Sequence, residues 1–348
     1  MHNTQPWRFR LDAESTTVEI HADAGRALPH EDPHGRALHI AAGAALFNLR
    51  VAVSHFGWKP VTRLLPDPRH PGLLASVHIT GRTSPRTLHG DDLYEAIWHR
   101  RSSRFPFGDQ PVPVSVRHEL AEAAQAEGAT LAVTGPRETA RLLRITTEAE
   151  RRNHADPARS AESRRWSSRD GAEDTGIPSA ALGPQDTFEQ LPMRDFSARR
   201  SLGRLPARPF ERTPAFASLS TGHDRRTDWL RAGQALECVL LVATAHGLRT
   251  SLLHQALEWT RPPRRPAPRC IPLRPRSDAH PMRLRPARAS HAPSHTAALP
   301  RPRRRRPSGR PVLTEDKSPL PRDLSAVAGA DRPMGRRPRA PHSGGERT

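Results

Sequence analysis

The hydrophobic periodicity of this 348-residue chain stops at Trp259, and this boundary limits what each part can fold into. Before it, apolar residues recur with helix and strand periods. After it, residues 260–348 contain 21 Arg, 18 of the 37 Pro and no Phe, Trp or Tyr. A segment with little to bury cannot offset the entropy cost of folding. We therefore expect a folded body followed by a disordered Arg/Pro-rich tail.

Net charge divides at the same boundary. The chain carries +19, of which the tail contributes +16 and the body +3. The charge therefore does not mark the body as a nucleic-acid-binding domain. A genuine tail, with its basic run at 301–306, would bind nucleic acid non-specifically through phosphates. The alternative, which we favour, is a frameshift near Trp259, because reading a GC-rich gene out of frame produces this composition.

Composition also excludes several classes of protein. Two cysteines, Cys238 and Cys270, cannot form a disulfide framework or a Cys-based zinc site, and we predict no metal site. The longest apolar runs are too short to span a bilayer. No signal peptide opens the sequence. These features predict a cytoplasmic protein that makes no membrane contact.

Within the body, strands and helices alternate. The helix predicted from Arg36 to Phe56 is apolar on most faces, which indicates that it is buried. The other predicted helices are about 91–99, 114–127, 136–153 and 227–246. The predicted strands are 7–11, 17–21, 59–65, 74–79, 130–133, 215–221 and 248–253. Residues 154–213 are polar and interrupted by Pro and Gly, as expected of a functional cover or a disordered insertion.

Three segments carry residue types suited to ligand binding. The segment 2–9 contains Asn3 and Gln5, whose amides can read a polar ring edge. The segment 100–104 places three guanidiniums and two hydroxyls in five residues, which suits a phosphate clamp. In the segment 247–255, a glycine turn enters a short strand. Each segment also has an ordinary interpretation: a polar N-terminus, a solvated basic helix end and a buried strand, respectively.

Taken together and in order, several segments resemble the flavin-binding nitroreductase superfamily. The resemblance is closest to its Acg-like branch of actinobacterial proteins, in which two nitroreductase-like halves are fused in one chain. It covers about residues 2–259. The segments that carry it are 2–9, 43–57, 100–107, 218–221, 228–241 and 247–258.

This resemblance implies an α+β fold of two pseudo-symmetric halves, each with a central antiparallel sheet surrounded by helices. It places the first half at 1–90 and the second at 91–259, before the tail at 260–348. Residues 154–213 would then form a lid over the flavin. Family members begin with a helix ahead of the segment 2–7, whereas Met1 directly precedes that segment here, so we expect a truncated N-terminus.

The resemblance further implies that FMN binds at the junction between the halves, so that one chain supplies both sides of the site. Arg100 and Ser102 match the family's phosphate-binding pair. Arg104 matches the basic residue near the pyrimidine edge of the flavin. A positive charge there stabilises the reduced, anionic flavin.

Five more residues match the family's cofactor contacts. Asn3 and Gln5 match the segment that reaches the cofactor from the opposite half. Leu253, His254 and Gln255 match the stretch that passes the reactive N5 edge. His254 stands where a carboxylate or small polar residue is frequent, and a packed histidine is the alternative. No catalytic residue is assigned.

The activity implied by the resemblance is a nitroreductase-like oxidoreductase reaction that uses NAD(P)H and a small electron acceptor. The two halves would form an intramolecular pseudo-dimer, so that the protein is a monomer. A lid that restricts access to N5 would limit turnover. Sequestration or storage of FMN without catalysis is therefore an alternative function.

Overall fold

The computed structural model describes residues 1–82, 90–108, 110–167, 175–178, 181–194, 206–212, 214–259 and 280–286. The strands are β1 (Trp7–Asp12), β2 (Thr17–Ala22), β3 (Trp58–Leu64), β4 (Leu73–Arg82), β5 (Thr130–Val133), β6 (Gln185–Asp186), β7 (Ala207–Arg208), β8 (Phe216–Ser220), β9 (Leu248–Leu252) and β10 (His280–Pro286). The helices are α1 (Arg36–His55), α2 (Gly90–His99), α3 (Val114–Ala126), α4 (Pro136–Ala155), α5 (Pro157–Ser167) and α6 (Arg226–Ala245). Every helix and strand predicted from periodicity is present, with ends shifted by three residues at most.

Two four-stranded antiparallel sheets share one topology. Their strand orders are β1-β2-β4-β3 and β5-β8-β10-β9. In each half, the principal helix, α1 or α6, follows the second strand of the sheet and precedes the third. Gly57 and Gly247, both with positive φ, end these two helices and lead into β3 and β9. The repeated order confirms the predicted α+β fold of two pseudo-symmetric halves.

The helices α1 and α6 cross at the centre with their backbones in close contact. A Cβ atom built on Gly43 would lie 2.2 Å from the Leu230 carbonyl oxygen. One built on Gly233 would lie 2.0 Å from that of Ile40. Only glycine permits this approach. By length and composition α1 would also suit a membrane span, but most of it is buried within the protein.

Apolar residues on either side of this crossing form two cores. One core joins α6 to α2, α3, β5 and β8, and the other joins α1 to β2 and β4. Because both sheets pack on the same helix pair, side chains from the two halves meet along the crossing. This arrangement brings distant parts of the sequence together.

The halves differ in what joins their first two strands. A short turn connects β1 to β2, whereas α4 and the segment 154–213 separate β5 from β8. We call this segment the insertion. It was predicted without regular structure, but it contains the helix α5 and the short parallel pair β6–β7. The carboxylate of Asp186 organises its centre by accepting hydrogen bonds from four backbone amides, those of Phe188, Gln190, Leu191 and Phe210.

The prediction that the tail lacks regular structure needs correction over seven residues. The strand β10 lies between β8 and β9 and pairs antiparallel with both. It contains two apolar residues, Met282 and Leu284, that alternate with Arg283 and Arg285. This strand period is too short to recognise among flanking prolines. In the second sheet β10 takes the place of β4, so that sheet extends beyond the predicted boundary at Trp259. The basic run at 301–306 lies outside the described residues.

Candidate functional site

Two of the three predicted binding segments lie side by side. The backbone of Ser102 forms a parallel bridge with that of Thr250 in β9. Beside it, the Ser103 amide donates to the Thr250 carbonyl at 2.8 Å. The segment 100–104 therefore extends along β9. Ser102 itself is exposed.

Arg100 is held along one edge of its guanidinium. Its Nε lies 3.2 Å from Oε1 of Glu237 on α6. The same oxygen accepts a hydrogen bond from Asn48 Nδ2 of α1, also at 3.2 Å. The two terminal amino groups of Arg100 make no hydrogen bond to the residues that the structure describes, and its side chain is 31% exposed. The Nε side of the guanidinium thus contacts a carboxylate, while its terminal amino groups can donate hydrogen bonds to a bound anion.

The third binding segment has an unusual backbone. His2, Asn3 and Gln5 have φ angles of 48°, 52° and 47°. Non-glycine residues seldom adopt this region, and such strain tends to occur at functional sites. The side chains of His2 and Thr4 are buried, whereas Asn3 is exposed and Gln5 half-buried. The Asn3 carbonyl accepts from the amide of Gly176, so this segment contacts the insertion.

Arg194 of the insertion joins the N-terminal part of the chain to the residues that follow β9. Its Nη2 donates to Oε2 of Glu31 at 2.7 Å, and its Nη1 donates to Oε1 of Glu258. Nη1 also lies 3.2 Å from Nε2 of His254. His2 meets the same Glu31 oxygen. This set of five residues, which we call the Arg194 cluster, is almost wholly buried except for His254.

Burial governs the charges in the Arg194 cluster. It holds the pKa of His2 well below its ordinary value, and the positive charges of Arg194 and Arg104 act in the same direction. His2 is therefore neutral at pH 7. Burial also disfavours the Arg194 cation, but Glu258 and Glu31 outweigh it and raise the pKa of Arg194 above its usual range. The cluster thus holds a permanent cation between two acidic groups.

Arg104 lies directly beneath the insertion. Its Nη1 donates to the Ala181 carbonyl at 3.0 Å. A Cβ atom on Gly183, whose φ is +72°, would lie 2.6 Å from the Arg104 carbonyl oxygen. This close approach explains why glycine occupies position 183. Burial, followed by the charge of Arg194, lowers the pKa of Arg104 from its ordinary value.

The insertion also covers the predicted N5 segment. Gln255 donates from Nε2 to the Pro192 carbonyl at 3.2 Å, and its Oε1 accepts from the His254 amide. Leu253 lies in a small apolar core, together with Leu191, Phe210 and Phe216. Side chains and backbone of the insertion therefore contact all three residues of this predicted segment.

Sequence reasoning missed several of these residues. Glu31 and Arg194 lie in no motif, and Glu237 lies in the segment 228–241, which carries the resemblance but assigned no role to this residue. Each acquires its role only through contacts distant in sequence. Glu258 offered one signal, because it stands four residues after His254. Its Oε1 lies 3.4 Å from His254 Nε2. Of the predicted site residues, Arg104, His254 and the N-terminal segment all contact the insertion. Arg100 is held separately, through Glu237.

Two small cavities lie beside these segments. One cavity of about 10 Å³ lies between α4, α5 and the Arg194 cluster, and another of about 10 Å³ lies beneath the N-terminal segment. Each has room for about one water molecule. Ligand pockets typically measure hundreds of cubic ångströms. The guanidinium, hydroxyl and amide donors fit a phosphorylated flavin by their chemistry, but neither of these two cavities is large enough to hold one.

No protein-family model matches the chain. Several curated proteins, by contrast, are similar to it in sequence. Two proteins of Mycobacterium tuberculosis described as proposed NAD(P)H nitroreductases, Rv3131 and Acg, are each 31% identical to it. Each alignment covers 74% of this chain, with 73% of Rv3131 and 77% of Acg. An uncharacterised protein of the same organism, Rv3127, is 30% identical over 74% of this chain and 75% of its own length.

A solved nitroreductase with bound FMN, from Bacteroides fragilis, matches 61% of this chain and 100% of its own. Its sequence identity is 11% and its TM-score is 0.31. The curated relatives establish the family, because they share nearly a third of their residues with this chain over most of its folded body. The chain therefore belongs to the Acg-like branch of the nitroreductase superfamily.

Proposed function

We propose that the protein is an FMN-binding oxidoreductase that uses NAD(P)H and reduces a small acceptor such as a nitroaromatic compound. The observation that carries this proposal is the geometry of Arg100. Its Nε lies 3.2 Å from the buried carboxylate of Glu237, and its terminal amino groups make no hydrogen bond to the described residues. The exposed Ser102 follows two positions later in the chain. A guanidinium fork beside a hydroxyl is suited to a phosphate group.

In this proposal Arg100 and Ser102 hold the phosphate of FMN. Arg104 stabilises negative charge at the pyrimidine edge, supported by its partial burial, which strengthens electrostatic interactions. Bound FMN supplies the hydride chemistry that side chains lack. The other contributors are Asn3 and Gln5 from the first half and Leu253, His254 and Gln255 after β9.

The insertion controls access to this site. Its residues 181–183 lie on Arg104, and Arg194 and Pro192 contact His254 and Gln255. A nicotinamide ring must stack on the flavin to transfer hydride, so the insertion has to open for turnover. Opening must break the buried contacts of Arg194.

A second function is favoured by the same contacts. If the insertion closes over bound FMN and opens rarely, the protein stores or sequesters the cofactor. The buried ion pairs of Arg194 with Glu31 and Glu258 support this alternative, since they stabilise the closed state.

Reduction kinetics of the FMN-loaded protein distinguish the two functions. Dithionite is small and needs no stacking, so it should reduce bound FMN in either case. Rapid NADPH oxidation with a nitroaromatic acceptor supports the enzyme. Slow NADPH oxidation beside fast reduction by dithionite supports sequestration. A protein that contains FMN but accepts electrons from neither reagent contradicts the oxidoreductase proposal.

A further inference from the structure

Glu237 is a buried carboxylate at the crossing of α1 and α6. Its side chain is 7% exposed, and three parts of the chain meet there: α6 itself, Asn48 of α1, and Arg100 directly after α2. Burial raises the pKa of the Glu237 carboxyl, whereas the charge of Arg100 and the hydrogen bond from Asn48 oppose this rise. Burying an acidic group is costly unless it is paired.

The way in which Glu237 pairs with Arg100 is informative. A carboxylate and a guanidinium frequently form two parallel hydrogen bonds, which satisfies both groups at once. Here the closest contact is that of Arg100 Nε with Oε1 of Glu237, at 3.2 Å, and the terminal amino groups make no hydrogen bond to the residues that the structure describes. An arginine that meets its counterion through Nε leaves its terminal amino groups available to a second anion.

We propose that Glu237 is a positioning residue, which holds Arg100 by Nε and thereby directs its two terminal amino groups at an oxyanion, here the phosphate of FMN. This inference rests on the proposed function. A free arginine side chain samples many rotamers, and ordering it on binding reduces affinity. Glu237 lowers that entropy cost before the ligand arrives.

The distinguishing readout is phosphate selectivity, defined as the dissociation constant of riboflavin divided by that of FMN for the full-length protein. Loss of positioning should lower the selectivity about three- to tenfold, the effect of one rotamer-rich side chain ordered on binding. A residue that only stabilises the fold would change the affinity for both flavins alike and leave the ratio unchanged.

Four variants test the proposal. Glu237→Met removes the acceptor and should lower the selectivity. Glu237→Gln should keep it, because the amide retains an oxygen within reach of Nε. Gln234→Met is the matched control: Gln234 is one helical turn away on α6 and accepts a hydrogen bond from Arg50 at 2.7 Å, rather than from Arg100. It should leave the selectivity unchanged.

Arg100→Lys keeps the charge but lacks Nε and the guanidinium fork. It complements Glu237→Met because it changes no buried residue and so tests the account even if Glu237→Met does not fold. It should lower the selectivity, whereas wild-type selectivity in this variant overturns the proposal. Wild-type selectivity in a folded Glu237→Met variant, with loss in Arg100→Lys, overturns the positioning role alone. A loss of selectivity in Gln234→Met equal to that in Glu237→Met also overturns the positioning role. A wild-type protein that binds both flavins equally, or neither, overturns the proposed function together with this inference.

Discussion

Arg194 Nη2 lies 2.7 Å from Oε2 of Glu31, and this buried ion pair joins the insertion of the second half to the first half. Arg194 also donates to Glu258, so one guanidinium connects three parts of the chain. Removing one partner of a buried pair costs about 3–5 kcal/mol, because the remaining charge loses its counterion.

Arg194→Met should therefore release the insertion. We expect limited proteolysis within 154–213 to become about tenfold faster or more, since the closed state loses much of that energy. In the FMN-loaded protein, NADPH oxidation should accelerate. Arg212→Met is the control, because Arg212 is an exposed arginine of the same insertion. Equal proteolysis of the two variants would show that Arg194 does not hold the insertion closed.

His2 should make stability depend on pH. Burial keeps its native-state pKa below the ordinary value of 6.5, so the unfolded chain binds a proton that the native protein does not. Stability then rises with pH, and the contribution of His2 is lost as the pH falls below about 6.5, with a slope of up to about 1.4 kcal/mol per pH unit.

Urea unfolding of wild type and His2→Gln between about pH 5 and pH 7 isolates this contribution. The variant should show a smaller dependence on pH. Identical pH profiles would mean that His2 titrates alike in the native and unfolded chains.

The crossing of α1 and α6 should not tolerate a methyl group. Gly233→Ala places a Cβ atom 2.0 Å from the Ile40 carbonyl oxygen, which forces the helices apart. We expect a loss of about 3 kcal/mol or more in the free energy of unfolding. Gly222→Ala, where a Cβ atom would meet nothing within 4 Å, is the control and should have little effect. A stable Gly233→Ala protein would contradict the packing described.

The strand β10 should be required for full stability. A chain that ends at Trp259 leaves β8 and β9 without the strand that pairs with both. Its Tm should fall by about 5 °C or more relative to a chain that ends at residue 290, which keeps β10. If both truncated chains melt at the same temperature, β10 contributes nothing to the second sheet.

Local patterns in the sequence predicted the two halves well. The helices α1 and α6 have long apolar surfaces and end before glycine, and the strands outside the tail alternate or lie between turns. The topology followed only from the resemblance, because periodicity does not say which strands pair. β10 was missed since two apolar residues between prolines give almost no period.

Prediction of the candidate site was less complete. The motif residues Arg100, Arg104 and His254 were identified, but not the groups that orient them. Glu237 stands in an ordinary helix period, and Arg194 in a polar segment with no period at all. Their roles depend on contacts with residues more than a hundred positions away. Such contacts leave no local pattern in a single sequence.

The most direct test of the account is to titrate the wild-type protein and Arg100→Ala with FMN and with riboflavin. The account predicts that wild type binds FMN and that Arg100→Ala weakens FMN binding about ten- to hundredfold, because charge-assisted hydrogen bonds contribute about 1.5–3 kcal/mol each. Riboflavin, which lacks the phosphate, should bind both proteins alike. A wild-type protein that takes up no FMN, or an equal loss of affinity for the two flavins in Arg100→Ala, would contradict the central claim.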